Sequence, residues 1–133
     1  MSKLFINPTE LSNPGTYTHV VVAEGKKIIF VSGQVALDAS GQMVGSGDLR
    51  AQTRQVFENL KIALGAAGAT FADVVKMNTY IVNYKPEMRP ALVEVRAAYL
   101  PKENPPASTL VGVTALAREE FLIEIEAIAV AQV

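Results

Sequence analysis

The stretch Phe121-Leu122-Ile123-Glu124-Ile125-Glu126-Ala127-Ile128-Ala129-Val130 decides the fold. Side chains alternate across a β-strand, so Ile123, Ile125, Ala127 and Ala129 share one face. Glu124, Glu126, Ile128 and Val130 share the other. One face is wholly apolar and suits a layer of helices. The other carries two carboxylates at one end and apolar side chains at the other, so it too needs cover.

Working outward, residues 107–113 and 74–82 are rich in β-formers and read as strands. Between them Pro86 or Pro90 opens a helix whose apolar face includes Met88, Leu92, Val95 and Tyr99, and Pro101 stops it. A longer helix precedes residue 74. Leu49, Thr53, Val56, Phe57, Leu60, Leu64 and Ala67 keep helical spacing, with Asp48 as N-cap and Gly68 at the C′ position. Toward the N-terminus the turn cluster Asn7-Pro8 to Asn13-Pro14-Gly15 leads to a strand over residues 17–24. Gly25-Lys26 reads as a hairpin turn, and a second strand covers 27–32 and continues to Leu37. The order β-β-β-α-β-α-β-β predicts an α+β layer sandwich, one mixed sheet with two helices on one face. Two helices leave the second face bare, and another copy of the chain is the simplest cover. Cyclic homo-oligomerisation is expected.

The 133 residues make one domain, 1–133, with 50% hydrophobic and 19% charged residues. Net charge is −1 and the basic residues are scattered, so no basic stripe marks a nucleic-acid binder. With no cysteine and one histidine, His19, neither a thiolate nucleophile nor a metal cluster is expected. No secretory h-region and no membrane-length apolar run is present, and the expectation is a cytoplasmic protein.

Few residues bear chemistry. Glu124 and Glu126 stand two apart on one strand face, roughly 6.5–7 Å from each other. Buried at an interface, like charge and desolvation would raise at least one pKa and make an acid–base candidate. A structural ion pair is the competing reading. A glycosidase is discounted, because its sugar cleft wants aromatic platforms and this chain has no Trp. Tyr17 and His19 share an expected strand face, where the Tyr17 hydroxyl can orient water or a carbonyl. His19 has no partner in the sequence and reads as a surface or interface residue. Ser32-Gly33 interrupts an apolar strand, and a glycine there marks a bulge or close approach to a ligand. Ser32 lacks the nucleophile-elbow motif and is better suited to donating a hydrogen bond. The glycines between 41 and 47 match no phosphate-binding loop. Ser108 and Thr109 place two hydroxyls just after a Pro-rich loop.

Pro106-Ala107-Ser108-Thr109-Leu110-Val111 together with Ile123-Glu124-Ile125-Glu126-Ala127-Ile128-Ala129 resembles the RidA/YjgF reactive-intermediate deaminase family. Pro14-Gly15-Thr16-Tyr17, Val31-Ser32-Gly33-Gln34 and Gln52-Thr53-Arg54-Gln55 with Asn59-Leu60 extend the likeness over nearly the whole chain. The resemblance implies a chorismate-mutase-like fold, a homotrimer with a barrel-like core, and small-molecule clefts between subunits. It matches Tyr17 to the cleft tyrosine, Ser32 to the strand serine and Glu124 to the water-handling glutamate, leaving Glu126 structural. Deaminating members carry an arginine in the Pro-Ala-Arg loop that forks onto a substrate carboxylate. Ser108 stands there in this chain. Exchanging a charged fork for one hydroxyl costs on the order of several kcal/mol, which argues against efficient hydrolysis of simple 2-imino acids. The arginines left to serve the cleft are Arg89, Arg96 and Arg118, and the sequence does not choose among them.

The resemblance implies a cofactor-independent hydrolytic deaminase of an imine or enamine, with Glu124 ordering water and Tyr17, Ser32, Gly33, Ser108 and Thr109 binding substrate. A non-catalytic trimer that binds a small molecule as sensor or scavenger is the alternative. An endoribonuclease or translation inhibitor comes third, because the charge is balanced and no basic, aromatic-laced surface is evident.

Overall fold

The computed structural model describes residues 3–132. Six strands and two helices follow in the order β1 (Lys3–Ile6), β2 (Val20–Ala23), β3 (Lys27–Gln34), α1 (Leu49–Ala66), β4 (Val74–Val82), α2 (Arg89–Ala97), β5 (Ala107–Val113) and β6 (Ile123–Ala131). The α+β class and the order β-β-β-α-β-α-β-β are those expected, although the sequence pattern makes the continuation of the second strand to Leu37 one of the three leading strands, a place that β1 fills instead. The four-stranded sheet runs β3-β6-β4-β5, with β4 and β5 parallel and the other pairs antiparallel.

The first block departs from expectation. The strand expected over 17–24 is limited to Val20–Ala23, and its partner is β1, which sequence patterning missed. These two form a separate antiparallel ribbon rather than part of one sheet. No β2–β3 hairpin forms at Gly25-Lys26, because the end of β6 takes the turn's polar groups. The Lys26 N–H donates to the Ala131 carbonyl at 2.9 Å, and the Gln132 amide donates to the Glu24 carbonyl at 2.8 Å. A Cβ at Gly25 would fall 2.6 Å from Val130, so only glycine lets the chain pass this close. β3 ends at Gln34, and beyond it Leu37 makes an isolated bridge to Met43.

Both helices lie on one face of the four-stranded sheet. Leu60, Leu64, Val56, Met77, Ile81, Ile123 and Ile125 form its core at 2% exposure or less. Asp48 caps α1 by accepting from the Ala51 N–H at 3.1 Å, and Gly68 takes φ +78° after its C-terminus. Lys27 donates to the free Ala67 carbonyl at 2.9 Å, which suits a cation at a helix C-terminus. The Phe57 ring stacks on Tyr99 at 5.1 Å, and the Tyr99 hydroxyl donates to Glu58 at 2.7 Å. Burial, reinforced by Glu58, pushes the Tyr99 phenol up to about 12. No helix among the described residues is long and apolar enough to cross a membrane.

The opposite face lacks cover. Phe30 is 75% exposed and Ile28 64%; they lie opposite Ile128 and Val130 on β6, and Phe30 lines a shallow cavity with Glu126. That is an unusual environment for a phenylalanine on the broad face of a sheet.

Gln52 joins α1 to the sheet's edge loops. It is fully buried, donates to the carbonyls of Gly45 and Glu120 at 3.1 and 3.0 Å, and accepts from the Leu122 N–H at 2.9 Å. Gln52→Ala strands all three backbone groups, and urea denaturation is expected to show a loss of about 3 kcal/mol. A loss below about 0.5 kcal/mol, the scale of an ordinary surface change, would refute this role for Gln52.

Candidate functional site

The sheet's register sorts the candidate residues by parity. Ser108 pairs with Met77 on β4, and Met77 pairs with Ala127 on β6, so all three point toward the helices. Glu124 lies three residues from Ala127 and takes the opposite face. Thr109 pairs with Asn78, which pairs with Glu126, again on the uncovered face. Within one chain the candidates therefore form two groups.

On the helix side, a cavity of about 170 Å³ lies between α2 and the β4–β5 edge. Tyr17, Thr16, Arg89, Arg96, Ser108 and Leu110 are among its walls. Tyr17 reaches it from a loop rather than from the expected strand. That loop is fixed by Thr18, whose hydroxyl donates to the Pro105 carbonyl and whose N–H donates to Pro106 at 3.2 Å. One residue thus sets Tyr17 against the segment that delivers Ser108. Arg96 donates to the Ser108 hydroxyl at 3.1 Å and to the Thr16 carbonyl at 3.3 Å. Burial, and the like charge of Arg89, lower its pKa from the usual arginine value.

On the bare face, β3 bulges between Val31 and Gln34, and Gly33 sits in the bulge. The Glu124 side chain lies directly over it. A Cβ at Gly33 would fall 1.8 Å from Glu124 Oε2 and 2.9 Å from its Cγ. The close approach expected at this glycine is thus to Glu124. Glu126 accepts a hydrogen bond from the Asn78 amide at 3.0 Å. Burial first, then the charge of Glu126 with its hydrogen bond, and last the charge of Glu124, raise the Tyr80 phenol. Ser32 shares a shallow cavity of about 240 Å³ with Lys76, Asn78, Glu126 and Phe30. Lys76 donates to the Thr109 hydroxyl at 2.7 Å. Lys76, Asn78 and Tyr80 went unremarked in the sequence, although every second residue of β4 is polar or aromatic there.

His19 packs edge-on against Tyr17, with ring centroids 5.3 Å apart. Its Nε2 lies 2.7 Å from the Ser12 carbonyl and its backbone N–H donates to the Asn7 side chain at 2.8 Å, bracing the N-terminal loop. Arg118 pairs with Glu120 at 3.1 Å and does not line the cavity, so Arg89 and Arg96 are the arginines that do. Their spacing with Val93 is i, i+4, i+7, one stripe of α2.

The packing of Glu124 over Gly33 yields a coupled pair. Gly33→Ala forces the carboxylate aside and should cost about 1–3 kcal/mol in chemical denaturation, whereas the added methyl should be nearly free in a Glu124→Ala background. Strict additivity of the two changes would show that the side chains do not meet.

The sequence matches the family described as Endoribonuclease L-PSP over residues 8–131. A RutC family protein of Pyrococcus horikoshii is 37% identical over 115 residues, 86% of each chain. The 3-aminoacrylate deaminase RutC of Acinetobacter baylyi is 35% identical over 129 residues, 97% of this chain and 98% of that one. Among solved structures, a conserved Rid family protein of unknown function, YyfB from Yersinia pestis, superposes with a TM-score of 0.89 at 42% identity. It covers 98% of this chain and 99% of its own. With the expected fold, the sequence match and the close structural likeness in agreement, this chain belongs to the RidA/YjgF family.

Proposed function

We propose that the protein is a cofactor-independent deaminase that hydrolyses a reactive imine or enamine in a cleft formed between two copies of the chain. The observation that carries this reading is the Glu124 carboxylate, packed over Gly33 on a sheet face that the chain itself leaves uncovered. A second copy laid against that face, with Phe30 and Ile28 buried, brings Glu124 and Ser32 of one subunit to the Tyr17–Ser108 cavity mouth of its neighbour. A homotrimer closes such contacts with identical interfaces. The deaminase relative supports the chemistry.

An enamine first tautomerises to the imine. Water then adds to the C=N carbon as Glu124 takes its proton. That proton passes to nitrogen, the carbinolamine collapses to a carbonyl, and the nitrogen leaves as ammonia. Tyr17, Ser108 and Thr109 position the substrate by hydrogen bonds. Nucleic-acid cleavage fits less well, since the net charge is −1 and the chain carries no basic stripe.

Ammonia release from freshly generated 2-iminopropionate and 3-aminoacrylate is the direct test. Wild type should turn over at least one of them, and Glu124→Gln should reduce the rate by about 10²-fold or more. Equal rates for the two proteins would remove Glu124 from the mechanism. Wild-type silence toward both, with ligand binding intact in Glu124→Gln, would favour the non-catalytic binding trimer.

Light scattering on Phe30→Glu checks the shared cleft. A glutamate at the buried interface should break the assembly into monomers and abolish turnover. An unchanged assembly would exclude this face as the contact.

A further inference from the structure

Arg96 is a half-buried cation without an anion. Its hydrogen-bond partners among the described residues are neutral, the Ser108 hydroxyl and the Thr16 carbonyl, and they occupy only part of the guanidinium fork. The charged group that bears on it is Arg89, of the same sign. A second cavity of about 180 Å³, which reaches Lys102, adjoins the first across Thr16, Val93 and Arg96. Among the described residues no carboxylate lines either cavity. Of the acids near α2, Glu94 pairs with Arg50 and Glu58 accepts from Tyr99, and among the described residues no ion pair joins Glu87 or Glu103 to Arg89 or Arg96.

Holding two guanidiniums together on one helix stripe, with one partly removed from water, is unfavourable unless an anion joins them. The inner cavity suggests its chemistry. Guanidinium and hydroxyl donors stand at one end, and Phe57, Leu92, Leu110 and Ile125 supply apolar walls. A small carboxylate with a short apolar body satisfies both ends, whereas free phosphate leaves the apolar walls wet.

We propose that Arg96, supported by Arg89, is the carboxylate-binding group of this protein, delivered from α2 into the space beside Ser108. As a binding site this stands on the cavity. As a statement that the substrate is an imino or enamine acid, it rests on the deaminase reading above. Ser108 then has a defined part, because a small hydroxyl leaves room for the helix arginine and accepts one of its hydrogen bonds. An arginine at position 108 and one at 96 would compete for the same space with like charge.

Calorimetric titration of the intact protein with 2-oxobutyrate and with its methyl ester separates charge recognition from catalysis. Wild type should bind the acid at least about tenfold more tightly than the ester, a difference of about 1.4 kcal/mol. Arg96→Gln should bring the two within about twofold, and Arg89→Gln, at a more exposed position, should weaken acid binding by only about threefold. Circular dichroism and the thermal midpoint establish that each variant is folded. Arg96→Gln/Ser108→Arg should recover the preference for the acid, which a merely structural role for Arg96 would not produce. Equal binding of acid and ester by wild type, or full discrimination in folded Arg96→Gln, would overturn the proposal. So would an Arg96→Gln that unfolds together with a double variant that folds but still ignores the charge. Acid binding that follows Arg96 in a protein releasing no ammonia upholds the site and overturns only the deaminase reading.

Discussion

The central strand β6 has to satisfy two environments at once, and the remaining structure is arranged around that requirement. It lies between β3 and β4, so its backbone hydrogen bonds are used on both edges. Its odd-numbered residues from Ile123 to Ala129 are 3% exposed or less against the helices. Its even-numbered residues Glu124, Glu126 and Ile128 look out onto a face with no second layer, while Val130 is buried against the Gly25 turn. Shifting β6 by one residue would drive two carboxylates into the core and expose Ile123 and Ile125. Register is therefore fixed by a penalty far larger than the few kcal/mol that separate alternative turns.

The same parity divides the chemistry. A strand in fixed register cannot turn Ser108 and Glu124 toward the same side, however the loops are built. The chain places Tyr17, Arg96 and Ser108 around an edge-strand cavity and Glu124 on the bare face, where Phe30 and Ile28 are left exposed. Phe30 and Ile28 represent a loss of hydrophobic stabilisation in an isolated chain, at about 25 cal/mol for each Å² left wet. In the assembly proposed above, association would recover that loss and bring the two groups of side chains into contact, so that assembly and site formation would be one event.

Much of this was legible in the sequence because it depends on period. β4, β5 and α1 lie where their spacing puts them, and Asp48 and Gly68 mark the limits of α1 through backbone donors and a left-handed turn. The ribbon was not legible. Lys3–Ile6 is four residues long, too short to show alternation. Gly25-Lys26 has hairpin chemistry, but the Lys26 N–H is captured by the Ala131 carbonyl, more than a hundred residues away. Local propensity lost there to a tertiary hydrogen bond. Gly33 was marked as a point of close approach, though its neighbour proved to be a carboxylate of the same chain.

Arg96 shows the limit from the other side. Its spacing with Arg89 and Val93 was available in the sequence, yet an arginine on an amphipathic helix ordinarily reads as a solvated residue. What distinguishes this one is the proline loop across from it. Thr18 ties the Pro105 and Pro106 carbonyls to the N-terminal loop, and Pro105 then lines the second cavity together with Thr16 and Arg96. A serine at position 108 is small enough to let the guanidinium lie where it does. Read alone, Ser108 is a missing charge. Read with α2, it is the vacancy that the charge fills, and the cost of burying that charge makes an anionic ligand its natural partner.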